Sequence, residues 1–388
     1  MSSRWLLAAL VGLALALTGG CQTVTDAYDR LFGARPAAKP AELPPIQASA
    51  ALRVRWQASV GAAEKNVFFP ALAGNVLYAA GAAGGVTGFD AASGAVLARI
   101  EAGQRISGAV GAGAGMVLLG TPRGEVLAFD RDGRALWKAQ VSGEVLAPPA
   151  VEGGIVVVRS GDGRIYGLGA ADGKRRWLYQ RALPALSVRA HAGTVIHRGG
   201  VFAGFPGGRL IALALANGHV GWEGVVALPR GTTELERAAD VTSLPAHDGR
   251  QVCAAAFQGR VACFDLERGT LLWARDISSI AGLALDAHYL YVTDERNAVH
   301  ALDKTSGASI WRQDRLAGRG LSAPLPLGRY VAVGDFEGYV HLLSREDGSF
   351  AARIATDGSA ISAPPLALDA SSFVVQTRNG GVFAITVQ

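Results

Sequence analysis

The chain has 388 residues, half of them apolar, with 51 glycines and a net charge of only +5. No Lys/Arg run or aromatic-interleaved basic stripe is present, so nothing implies a nucleic-acid partner. Strand signals outnumber helix signals, and Gly/Asp turns recur about every ten residues, which points to an all-β chain.

Arg4 opens a positive n-region, and Trp5–Leu17 is apolar but too short to span a bilayer stably. Leu17-Thr18-Gly19-Gly20-Cys21 follows. Small residues before a cysteine are what lipoprotein signal peptidase requires. The stretch resembles a bacterial lipobox, with Thr18 where leucine is usual. That resemblance implies a signal peptide over 1–20 and lipidation of Cys21. Gln22 rather than aspartate follows, which by Gram-negative sorting rules implies the outer membrane. Three acyl chains exceed the two signals that stable anchoring needs. Residues 21–50 are rich in Pro and Ala and read as an extended tether with little packed structure, or as a short docking strand.

Arg55-Trp56-Gln57 is a strand with nothing before it. From there one unit repeats: an apolar strand, a turn with Asp and Gly, and a second strand. Its clearest copy is Ala301-Leu302-Asp303 through Gly307 to Trp311. Asp303 can bond the amides ahead of it, and Gly307 supplies φ > 0. Other copies lead to Trp137, Trp177, Trp222 and Trp273, and weaker ones to Ala98 and Ala351. A last copy, from Gly381 to Thr386, stops before its second strand. The orphan strand and the unfinished copy make one unit. The sequence therefore predicts an eight-bladed β-propeller over 51–388, with four-stranded blades and Val54–Ser59 closing the last, which leaves no free sheet edge. One large flat ring per blade fills the wedge between blades, so the tryptophans are packing residues.

Two units are long. Trp177 to Trp222 spans 45 residues and Trp222 to Trp273 spans 51. The extra residues follow the Trp strand in both cases, as Arg181–Arg189 and as the stretch from Leu228 through Glu234–Arg237 to Thr242. In a propeller such connections emerge on one face. Long loops in a compact array are usually functional. Leu186, Val188, Arg189 and Asp240 combine apolar anchors with flanking charge, as a protein-binding patch does.

Catalytic and metal signatures are missing. The seven histidines show no ligand spacing, and no GxSxG elbow occurs. Gly111–Gly115 lacks the third glycine of a nucleotide loop and reads as a strand connection. Cys253 and Cys263 flank a turn at Phe257-Gln258-Gly259. A three-residue loop ending in a left-handed glycine places them opposite each other; a two-residue loop places them on opposite faces.

The AxDxxxGxxxW motif resembles the repeat of pyrroloquinoline-quinone (PQQ) dehydrogenases, which are eight-bladed propellers. Their adjacent cysteines and long funnel insertions are absent here. The whole chain is more similar to the BamB family of outer-membrane protein assembly factors, lipoproteins of the β-barrel assembly (BAM) machinery. Leu183–Arg189 is similar to that family's LPxLSLR-type loop, and Gly231–Thr242 to its GxTExxRxxDVD stretch, with Thr242 where a second aspartate is usual. This implies a non-catalytic scaffold without cofactor or metal. It implies docking of Leu186, Val188, Arg189 and Asp240 on a POTRA domain of the barrel insertase BamA, and leaves open contact with nascent outer-membrane proteins. The other readings are a PQQ- or sugar-active propeller enzyme and a periplasmic adaptor for another partner.

Overall fold

Asp303 shows why the repeat folds. Its Oδ1 accepts from the amides of Thr305 and Ser306 at 3.1 and 2.8 Å, and from both hydroxyls. Those bonds, the Thr305 hydroxyl first, lower its pKa to about 2. Gly307, at φ 68°, then donates its amide to Asp303 O at 2.8 Å. The chain leaves the turn as the strand Ser309–Gln313.

The computed structural model describes residues 39–189, 191–233 and 235–388. The signal segment and Cys21 lie outside the described residues. Residues 42–388 form one compact unit. It holds eight four-stranded antiparallel sheets in a ring. Blades 1 to 7 cover 71–101, 111–140, 150–180, 194–225, 246–275, 282–313 and 325–355. Blade 8 pairs its last strand, Gly381–Val387, with Leu52–Ser59, so the ring closes as the repeat count predicts. Each blade carries a bulge in the pairing of its outermost strand, for example between Ala301 and Leu302. A repeated bulge sharpens the twist of every blade at the same radius.

The core consists of layers between blades. Each apolar cluster joins two neighbours: Val157, Ile165 and Trp177 of blade 3 meet Val201, Phe205 and Ile211 of blade 4. The six propeller tryptophans pack there as expected, and they also form latches. Each indole N–H donates to a carbonyl of the next blade, from Trp56 to Ala91 O at 3.0 Å through Trp311 to Arg345 O at 2.8 Å. Each ring lies under the next blade's turn glycine, where a Cβ would come within 2.6 Å of it. The glycine is therefore required twice, for its φ and for the ring beneath it.

Two junctions lack the latch. At Ala98 the next turn glycine, Gly133, settles on Ile100 and Arg99 O instead. At Ala351 there is no turn to hold, because blade 8 is built from both chain ends. Residues 44–50 cover that junction. Ser49 and Ala50 donate to Ala351 O at 2.9 and 3.2 Å, and Arg353 Nη2 donates to Pro44 O at 3.1 Å. The end of the expected tether is thus a strap packed on blade 7, because Pro44 is buried and its carbonyl has a donor waiting.

Cys253 and Cys263 face each other across paired strands and form a disulfide. The intervening loop has three residues. Its left-handed residue is Gln258, at φ 47°, and not Gly259.

Candidate partner-binding face

The connections from each outer strand to the next inner strand share one face with the turns between the two middle strands. Ser142 of one such connection reaches Asp162 of a middle turn, and Ser278 reaches Glu295. The two long loops emerge here, ahead of blades 4 and 5.

The first loop, Arg181–Arg189, carries Leu186, which is 43% exposed. Val188 beside it is half-buried. Arg189 forks onto Glu144 of the preceding connection, Nε to Oε1 at 3.0 Å and Nη2 to Oε2 at 2.9 Å. The hydrogen bond to Glu144 raises the pKa of Arg189, and the same bond holds Glu144 below the usual carboxylate range. Both side chains are partly exposed, so the pair orients more than it stabilises. Sequence reasoning missed Glu144. Its partner lies 45 residues away in the next connection, and no spacing rule reports that.

Asp240 needs a correction. The sequence reading aims it at a partner, but it is only 2% exposed. Its Oδ2 accepts from Val188 N at 2.6 Å and its Oδ1 from Gly207 N at 3.0 Å. Two amide donors make burial of the carboxylate tolerable. Asp240 is therefore the tie between the long loops: it sits in the second and fixes the backbone of the first. Thr242, also buried, donates its hydroxyl to Ile280 O at 3.3 Å.

The second loop has its own brace. The Thr232 and Thr233 amides donate to Glu236 Oε2 at 2.8 and 3.1 Å, and Glu236 N donates to the Thr233 hydroxyl at 3.2 Å, a reciprocal capping box. The backbone bonds from Thr232 and Thr233 lower the Glu236 pKa. The brace presents Leu235, 65% exposed, with Leu228 nearby on the same loop.

Beneath the first loop lies a cavity of about 290 Å³ lined by Glu144, Arg159, Leu183, Val188, Arg189 and Asp240. Arg159 donates to Ala192 O at 3.0 Å and sits 5.0 Å from the Phe205 ring. Burial lowers its pKa to about 10, against the opposing pull of Asp240. It stays charged at neutral pH. The face thus combines exposed leucines, a forked arginine and a buried carboxylate that sets loop geometry.

A sequence-family model described as outer membrane protein assembly factor BamB matches residues 82–313 and 299–388. The chain is 46% identical to the outer membrane protein assembly factor BamB of Nitrosomonas eutropha, over 90% of this chain and 85% of that one. The crystal structure of BamB from Moraxella catarrhalis superposes with a TM-score of 0.78 at 27% identity, covering 87% of this chain and all of that one. A quinohemoprotein alcohol dehydrogenase from Comamonas testosteroni gives a TM-score of 0.70 at 12% identity, over 86% of this chain and 76% of that one, which reflects the fold alone. The propeller fold is thus shared with that dehydrogenase, but by sequence the chain belongs to the BamB family of outer membrane protein assembly factors.

Proposed function

We propose that this chain is a non-catalytic lipoprotein scaffold of the β-barrel assembly machinery that docks on a periplasmic POTRA domain of BamA through its two long loops. The observation that carries this is the Asp240 tie, which locks two adjacent loops into one surface presenting Leu186 and Arg189. Leu186 is the aliphatic anchor. Arg189 spends Nε and Nη2 on Glu144, which leaves Nη1 for a partner carboxylate. Val188 and Asp240 act from behind, by setting the loop backbone.

Leu186→Ala with Arg189→Ala is expected to weaken binding to the insertase's periplasmic domains by roughly tenfold to a thousandfold, since truncating a central anchor costs ~2 kcal/mol or more. Both side chains are exposed, so the melting temperature should hold. Asp240→Ala should behave differently. It leaves two amides without their acceptor at about 1–3 kcal/mol, so it should lower both stability and binding. Binding of the purified variants, with circular dichroism as the folding control, separates the two. Undiminished binding by the folded double variant places the interface elsewhere.

The anchoring half of the proposal rests on Cys21. Cys21→Ser should move the protein to the soluble periplasmic fraction and abolish uptake of a palmitate analogue. A wild-type chain that takes up no label is not a lipoprotein.

A further inference from the structure

The two inner strands that follow the long loops both end in histidine. Thr194–His197 closes on His197 and Ala246–His247 on His247. Neighbouring blades bring the two rings together, with centroids 4.2 Å apart and planes at 38°. His197 Nε2 and His247 Nδ1 are both buried, and neither has a hydrogen-bond partner among the described residues. Leaving one such nitrogen unpaired costs about 1–3 kcal/mol, and a side-by-side pair calls for an explanation.

The surroundings narrow it. Gly249, at φ 87°, lies beside His197 Nε2, which an added Cβ would meet in ordinary van der Waals contact at 3.7 Å. Asp248 is the adjacent carboxylate. It is engaged by Lys304 Nζ at 2.8 Å and by the amides of Arg250 and Gln251 at 2.9 and 3.0 Å. A neutral imidazole carries the lone pair that a metal takes. No group of three or more protein ligands forms among the described residues, so water would complete any coordination shell.

We propose that His197 and His247 form a two-imidazole site for a late first-row divalent cation, copper, zinc or nickel. Imidazole nitrogen suits these ions, with copper bound most tightly, whereas calcium and magnesium take oxygen ligands. The site has a structural consequence. His197 and His247 end the strands that root the first and second long loops, and Asp240 ties the same loops together at the opposite end of those strands. A bound ion would clip the far ends of these two strands, as Asp240 ties the loops that lead into them. The effect on a docking partner rests on the reading given above, but the metal site does not.

The test is calorimetric titration of the untagged full chain in detergent with Cu²⁺, Zn²⁺ and Ni²⁺, with Mg²⁺ as control. One equivalent should bind, copper tightest and magnesium not at all. The copper spectrum should show coupling to imidazole nitrogen. His197→Ala and His247→Ala should each weaken binding at least about tenfold, and metal should raise the wild-type melting temperature but not theirs. His247→Phe keeps a ring in place, so loss of metal at an unchanged apo melting temperature separates coordination from folding. No saturable binding below about 1 mM, or wild-type affinity in either alanine variant, overturns the site. Insertase binding is measured separately on the same metal-free proteins, so failure of the clip and failure of the docking reading remain distinguishable.

Discussion

Deleting Leu52–Ser59 is expected to leave the protein aggregated or unfolded. The strand supplies the outer edge of blade 8, pairing with Gly381–Val387 from Leu52↔Val387 to Ser59↔Gly381. Without it, a seven-residue strand has an open ladder that can recruit another chain. The deletion also removes Trp56, whose indole bonds Ala91 O of blade 1 and lies under Gly94. It therefore removes both the outer edge of blade 8 and its latch to blade 1. Trp56→Ala isolates the latch from the ladder. Truncating a buried tryptophan costs about 3–5 kcal/mol, which for a propeller of this size corresponds to a fall in melting temperature of roughly 4–7 °C. The ring should still close, because the strand remains. Solubility on expression and a thermal melt of both variants check the pair. A soluble deletion variant that melts as wild type does would show that the ring does not depend on its closing strand.

The repeat was legible because it is one-dimensional. Asp, Gly and Trp recur in register, and each has a local duty: Asp303 and Gly307 make the turn and Trp311 sits at the centre of the next strand. The hydrogen bonds and ion pairs between blades were not legible. Trp273 reaches Lys304 O, and Arg189 reaches Glu144, each across a blade boundary that sequence spacing does not encode. Both long loops were visible as excess length, and the structure puts them on one face. Asp240 was misread for a physical reason. A charged loop residue is normally solvated, and only the amides of Val188 and Gly207, 52 and 33 residues away, make its burial affordable. His197 and His247 lie on different blades, so a search for ligand spacing along the chain passes over them. The strap at 44–50 was hidden for another reason: Pro and Ala describe an extended chain whether or not it finds a surface.

The second large effect is expected in blade 7. Asp335 and His341 are fully buried, and Arg319 is 3% exposed. Asp335 Oδ2 accepts from Arg319 Nε at 2.8 Å and from His341 Nε2 at 2.9 Å, while its Oδ1 accepts the amides of Glu337 and Tyr339 at 3.0 and 2.9 Å. Arg353 Nε donates to His341 Nδ1 at 3.1 Å. Arginine can only donate, so His341 is the neutral tautomer with its proton on Nε2. Asp335→Ala removes the acceptor from four donor groups and leaves Arg319 with Glu337 as its remaining carboxylate, at a cost of up to about 3–5 kcal/mol. The pH dependence has a definite sign. Burial lowers the His341 pKa, and Arg353 and Arg319 lower it further against the pull of Asp335. The folded protein therefore binds fewer protons there than the unfolded chain. The stabilisation is present above about pH 6.5 and is lost as pH falls through the lower folded value. Asp335 acts in the same direction at more acid pH. Burial raises its pKa, but the bonds from His341, the Tyr339 amide and Arg319 outweigh that and hold it low. Protonating His341 would also place an N–H against Arg353, which holds the strap through Pro44 O. Denaturant melts at pH 7.5 and pH 5 should show wild type losing stability at up to about 1.4 kcal/mol per pH unit for this site. His341→Gln should flatten that slope. An equal slope in the variant would assign the acid sensitivity to other groups, of which half-buried His191, its pKa lowered by burial, is the first to substitute.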